Sequence, residues 1–439
     1  MALRKALGVI LRQRARRGLA RDQPSEAPAL SLAFSGQQVG YRNRLRPRAR
    51  VRRLPLRTTR LDSPLHAALL FAVFAASLAG TAVLPLLPEL VAQAAPGATS
   101  AARQAHISAL AAAGPVGMMV AAPLWGLTSD RMGRRPLLLL GLGGFALTLA
   151  AMGRPQLESL YASRLLNGLF AGAVSPLAFA IAADRAGSPA DRARAFTSLN
   201  AVAYAGYLVG PLLGDWVTTA EASSFHAAAA TVGASMLALT LSADRGAAPV
   251  ASGDEGGTAR RAPLLIVSAM GAGSLGVLHI ALTLRTDTRD LSREGAAWLL
   301  SLCGVVMLLA QLVWLRVGWL ASRARRLLSP ALLMLALTLV ASSYARAPWA
   351  LAAVLAAMAW ASATVSLLTS YLISLGPRKR LGLNLGAQCA AAAAGQTLAA
   401  LLTSWEMARA GGAFVWPAAA AAIVLAGLLF EFGGRRRPR

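Results

Sequence analysis

Long, almost uninterrupted apolar stretches alternate along this chain with short polar breaks rich in arginine. A helix that crosses the hydrocarbon of a bilayer needs about 20 mostly apolar residues. Twelve stretches meet that measure: 65–88, 105–125, 137–153, 158–183, 196–217 and 224–243, then 263–284, 296–320, 328–345, 349–375, 382–404 and 412–432. Between the sixth and seventh, Asp244 to Ala262 is polar, contains Gly-Asp-Glu-Gly-Gly and Arg260-Arg261, and reads as a linker. The pattern therefore predicts an all-α polytopic membrane protein with twelve transmembrane helices in two six-helix bundles. A basic extension occupies 1–63, the bundles 64–243 and 263–432, the linker 244–262, and a basic tail 433–439. Two such halves about a central loop suggest paired repeats with a site between them at mid-membrane, the plan of many secondary transporters.

Composition agrees with that setting. Mean hydropathy is +0.54, hydrophobic residues make up 56% and charged residues 14%, against about 25% charged in ordinary soluble domains. The formal charge of +26 would invite a nucleic-acid reading if it were spread over a fold. Half of it lies before Pro64, where sixteen basic residues face three acidic ones. That arm is expected to be disordered, or to belong to a reading frame begun too far upstream; Leu3, Leu7, Ile10 and Leu11 would alternatively give a short basic helix one face for anionic lipid. No apolar stretch follows the early arginines, so no cleaved leader is expected. Elsewhere, lysine and arginine accumulate on the cytoplasmic side of membrane proteins. With the amino terminus inside, the connections on that side hold nineteen basic residues and the opposite ones seven. Both termini are thus expected in the cytoplasm of a bacterial-type inner membrane.

Function classes fall away quickly. Cys303 and Cys389 lie within apolar stretches without a partner at metal-ligand spacing, and no HExxH, GxSxG, P-loop or Cys/His cluster is present. No enzyme chemistry, metal, cofactor, ATP drive or nucleic-acid partner is expected.

The chemistry concentrates in three places. Gly126-Leu127-Thr128-Ser129-Asp130-Arg131-Met132-Gly133-Arg134-Arg135-Pro136 stands between the second and third apolar stretches and reads as a short charged hairpin at a membrane face. Gly126 would let the chain turn and pack closely, and Asp130 would stand at or just before the start of the third helix, where a carboxylate favours the helix dipole. Arg131, Arg134 and Arg135 could reach lipid phosphate or a carboxylate such as Asp184 or Asp191. In the fourth stretch, Arg164-Leu165-Leu166-Asn167-Gly168 puts a guanidinium inside the membrane, which costs a few kcal/mol unless it faces a cavity or a partner. In the fifth, Gly206, Gly210 and Gly214 form a smooth stripe and Pro211 removes a backbone donor beside it, a combination suited to a hinge.

Together these segments, in order and at the matching helices, resemble the major facilitator superfamily; the resemblance covers the first half. It implies a cytoplasmic latch in which Asp130, Arg131 and Arg134 hold the inner end of the eleventh helix near Leu381 to Gly386, and a role for Arg164 in proton coupling. It also implies an antiporter signature around Pro211, from which Asp215 departs. The second half keeps only Gly318, Arg323, Arg325 and Arg326 of a matching hairpin, without an aspartate, so a symmetric latch is not expected.

The first apolar stretch has no carboxylate, and His279 on the seventh is the best embedded titratable candidate for coupling. Ser77, Thr81, Asn167, Ser175, Asn200, Tyr204 and Tyr207, with Thr283, Gln311, Trp360, Thr364, Tyr371, Gln388 and Gln396, would supply a mostly uncharged cavity for an amphipathic or neutral solute. The expected function is alternating-access, proton-coupled export of a drug-like compound or a metabolite such as a siderophore, by a monomer among membrane lipids. An importer of the same superfamily and a non-transporting receptor or scaffold are the alternatives.

Overall fold

The structure is a computed structural model; it describes residues 63–152, 156–216, 223–242, 261–287, 293–342, 344–345, 347–410 and 415–435. The expectations for the extension, for most of the linker and for the end of the tail lie outside the described residues, as do the side chains of Asp215 and His279.

Twelve helices follow in order: α1 (Pro64–Ala94), α2 (Ser100–Met132), α3 (Arg134–Ala151), α4 (Leu157–Arg185), α5 (Pro189–Trp216), α6 (Ser223–Leu241), α7 (Arg261–Asp287), α8 (Arg293–Arg316), α9 (Leu320–Ser342), α10 (Pro348–Ser374), α11 (Leu381–Ala410) and α12 (Val415–Arg435). Ten have the length and hydropathy of membrane spans, and shorter apolar helices at Phe225–Leu241 and Pro417–Glu431 complete the set among the described residues. Helix α1 opens with the Ser63 side chain accepting the His66 amide at 3.2 Å. It passes through a 3-10 turn at Leu84–Leu86, where Pro85 and Pro88 remove two amide donors from the α ladder.

The helices run past several of the apolar limits because polar residues can stay helical once they leave the hydrocarbon. Helix α2 continues through Gly126 and Asp130 to Met132, so the expected hairpin there shrinks to one residue, Gly133. With φ at 94°, Gly133 adopts a backbone that other residues rarely tolerate. The turn thus belongs to Gly133, and Gly126, expected to bend the chain, is an interior helical residue. In the same way α7 starts at Arg261, α9 at Leu320 and α12 ends at Arg435, each taking in arginines expected in connections.

Packing repeats with a shift of six helices. In the first half α1 lies on α5 and α6, α2 on α4, and α3 on α4 and α6; in the second, α7 lies on α11 and α12, α8 on α10, and α9 on α10 and α12. The main seams between halves are α2 with α11 and α5 with α8, and the same shift exchanges them. This is the signature of a pseudo-twofold axis between two homologous bundles. Helix association in lipid depends on close van der Waals fit, and glycine supplies it at the seams. A Cβ on Gly126 would collide with the Gly382 carbonyl, one on Gly386 with the Ala122 carbonyl, and one on Gly304 would sit 2.6 Å from Leu208 Cα.

Candidate functional site

Two adjoining hollows lie along the interface between the halves. One, of about 1070 Å³, is walled by late α1 (Thr81, Leu84), early α2 (Ala111, Pro115), early α4 (Arg164, Asn167) and late α11 (Ala400), and therefore lies toward the end away from Asp130. The other, of about 1030 Å³, is walled by Phe179, Asn200, Ser268, Ser362, Ser366, Ser370, Leu385 and Gln388, toward the Asp130 end. Ser77, Ser175, Tyr207 and Gln396 line both, so the hollows adjoin as two lobes on either side of these four residues.

Arg164 is the only charged residue among the cavity-lining residues described. It is 6% exposed, and its Nε donates to the Leu110 carbonyl at 3.3 Å. The helical spacing explains how a guanidinium fits there. Gly168 lies one turn beyond Arg164, and a Cβ on it would collide with the Gly114 carbonyl; α2 and α4 touch backbone to backbone, and the Arg164 side chain lies over Gly114. Asn167, also buried, donates to Thr148 Oγ1 at 3.3 Å and ties α4 to α3.

The Asp130-end lobe holds neutral hydrogen-bonding groups. Gln388 Nε2 donates to Ser370 Oγ at 2.8 Å, and Ser362 donates to the Gly271 carbonyl at 3.3 Å. The Asn200 side-chain nitrogen is buried without a hydrogen-bond partner. An amide donor stranded in a low-dielectric wall costs about 1–3 kcal/mol, a cost that an acceptor on a bound molecule would remove. Ser77, Thr81, Asn167, Ser175, Asn200, Tyr204, Tyr207, Gln388 and Gln396 all line the cavity. Gln311 and Thr364 do not: Gln311 donates to the Ala363 carbonyl at 3.2 Å and Thr364 accepts from Trp314 at 3.1 Å, both between helices. Trp360 and Tyr371 are likewise absent from the described lining. Ser268 and the polar face of α10 were missed, although Ser362, Ser366 and Ser370 recur at four-residue steps, the interval that stacks side chains on one helical face.

Hydrogen bonds join the halves at two places at the Asp130 end among the described residues. Asp130 Oδ1 and Oδ2 accept the backbone amides of Gly382 and Leu383 at 2.9 and 3.0 Å, at the first turn of α11. This carboxylate therefore serves the positive end of α11 in the other half, within the stretch that the resemblance implied, and not the start of α3, as the local reading had it; α2 stays helical past it and aims it across the seam. Arg134 pairs with Asp130 at 3.4 Å and with Asp184 of α4, and Arg135 donates to the Leu239 and Ser242 carbonyls at the end of α6. Both arginines thus brace the first half: Arg134 takes Asp184, one of the carboxylates expected for it, instead of gripping α11, and Arg135 takes backbone carbonyls at the end of α6. Arg131 is exposed. The second contact joins Arg192 of α5 to the Ser374 carbonyl ending α10, at 3.0 Å.

The α5 stripe packs within the first half: a Cβ on Gly206 would lie 2.7 Å from the Leu78 amide nitrogen, and one on Gly210 would collide with Thr81 Oγ1. Pro211 is buried in a continuous helix. Surroundings of Gly214 are outside the described residues.

Comparison with known proteins agrees with this architecture. The family model described as Major Facilitator Superfamily matches residues 69–284. The human organic anion transporter MFSD10 superposes with a TM-score of 0.69 over 84% of this chain and 99% of its own, at 22% identity. This chain belongs to the major facilitator superfamily. Within the superfamily it is 36% identical over 149 residues to the class G tetracycline resistance protein of Vibrio anguillarum, covering 34% of this chain and 37% of that one. A second relative, the human major facilitator superfamily domain-containing protein 10, is 42% identical over 94 residues, 21% of this chain and 20% of its own. The chain thus matches about a third or less of the length of these relatives.

Proposed function

We propose that the protein is an alternating-access exporter of an elongated amphipathic molecule with one anionic group and several hydrogen-bond acceptors, driven by proton antiport. The observation that carries this reading is the two-lobed cavity between the halves, in which Arg164 is the one charge among the described lining residues and the other lobe offers neutral donors. An arginine buried against a single backbone carbonyl welcomes a carboxylate or sulfonate, and the stranded Asn200 amide welcomes a carbonyl or ether oxygen. Tetracycline resistance proteins among the relatives support the outward direction, and the organic anion transporter of similar fold supports the anionic group. His279, one turn beyond Gly276 of the cavity wall, is the proposed proton carrier.

The test is cellular accumulation of tetracycline and of a fluorescent aryl sulfonate, with the full chain expressed in a bacterial host. Export lowers accumulation relative to an empty vector, and an uncoupler that collapses the proton gradient restores it. Raised accumulation would make the protein an importer, and identical accumulation of every probe would leave only a receptor or scaffold.

A further inference from the structure

The matching hairpin of the second half puts its arginines to a different use. In the first half Arg134 and Arg135 are satisfied by a carboxylate and by backbone carbonyls. At the corresponding place Arg323, Arg325 and Arg326 lie in the first turns of α9, all exposed, and none forms a salt bridge among the described residues. Arg325 turns toward α12, with its guanidinium 5.5 Å from the Phe430 ring, and Ser329 on the same side donates to Glu431. Arg323 stands over the exposed Trp319 ring at 5.0 Å. Trp319, Arg323 and Arg326 then share one face of α9 with Pro330, Leu333 and Leu337, because their steps of three and four residues keep returning to the same side of the helix.

That face continues as a shallow, open groove between α9 and α10, running from Pro330 to Ala341 with Ala357 on its other wall. Thr338, the one hydroxyl in it, donates to the Leu335 carbonyl at 2.9 Å, so the groove offers carbon to its occupant. The eleven steps from Pro330 to Ala341 rise about 16 Å along the helix, against roughly 15 Å for one leaflet of the hydrocarbon core. The groove is about one acyl chain long and starts one helical turn beyond Arg326.

We propose that this is a binding site for an anionic phospholipid, its phosphate held by Arg323 and Arg326 beside Trp319 and one acyl chain lying in the α9–α10 groove. A guanidinium matches phosphate oxygens two at a time, and tryptophan belongs at headgroup depth. The site is remote from the two-lobed cavity and does not depend on what the protein carries.

The experiment is native mass spectrometry of the delipidated full chain titrated with phosphatidylglycerol or phosphatidylcholine of identical acyl chains. The parent should hold one phosphatidylglycerol at least tenfold more tightly than phosphatidylcholine. In R323Q/R326Q the ratio should fall below twofold, R323K/R326K should keep most of it, and A357F, which fills the groove and leaves the charges, should lose the tight lipid. Unchanged melting temperatures in phosphatidylcholine would show that the variants fold. Equal retention of both lipids by the parent, undiminished preference in R323Q/R326Q, or equally tight binding of glycerol phosphate without an acyl chain would overturn the site.

Discussion

Arg164 is the residue whose chemistry reaches furthest. A guanidinium in the membrane costs about 2.5–3.5 kcal/mol on insertion scales, and here one 3.3 Å hydrogen bond to Leu110 offsets only part of that. A bound anion would supply the remainder, so the charge should favour substrate over the empty state. Replacement by glutamine should reduce transport of an anionic probe at least tenfold while sparing a neutral analogue, and lysine should retain part of the activity. Uptake into vesicles measured with both probes decides it; equal losses for both would mean that Arg164 serves packing and not charge recognition. Its place in the cavity wall was legible from the sequence because an arginine in an apolar stretch breaks the local pattern and must face a cavity or a partner. The target of Asp130 was legible only through the family resemblance, which pointed it at Leu381 to Gly386 of the eleventh helix, whereas the local reading aimed it at the start of α3. Its partners are backbone amides 252 and 253 positions away, and a backbone amide leaves no mark in residue type.

Between elements, the seams are set by absent side chains. In a helix interior alanine is preferred to glycine by about 1 kcal/mol, so G126A would stabilise α2 if nothing faced it. The Gly382 carbonyl does face it, too close for a methyl group. G126A should therefore lower the melting temperature of the Asp130-end-closed form and part α2 from α11 there. G80A, where nothing lies within 4 Å of an added Cβ, is the control and should be neutral or slightly stabilising. A melting temperature for G126A equal to that of G80A would refute the close contact. Helix number was readable from apolar length because lipid imposes a minimum span. Helix ends were not, since α2, α7 and α9 continue into water where hydropathy carries no information about the backbone. Which glycine makes the turn was likewise hidden: Gly126 and Gly133 look alike in the chain, and only the 94° φ of Gly133 separates them.

For the whole molecule, the question is what holds the two bundles together at one end. Asp130 on α11 and Arg192 on α10 are two hydrogen-bonded contacts between the halves there, each placing a charge against the helix end of opposite polarity, and Arg378 adds an electrostatic attraction for Asp184 across the same end. Hydrogen bonds to a charged group contribute about 1.5–3 kcal/mol. D130N keeps one acceptor oxygen and loses the charge, so a loss of about 2 kcal/mol should shift the closed-to-open ratio roughly thirtyfold. R192Q, which removes one such bond, should shift it about twelvefold if that bond contributes about 1.5 kcal/mol. Cys389 lines the lobe nearest this end and is a built-in reporter once Cys303 is replaced by serine. Its labelling by a water-soluble maleimide should quicken in D130N, less in R192Q, and by about the product in the double variant if the bundles part as rigid bodies held at two independent points. A double variant that labels no faster than D130N would show that Asp130 alone governs closure, with Arg192 merely following α5. Unchanged labelling in all three would mean that the glycine-packed seams hold this end shut and that the charges do not govern its opening.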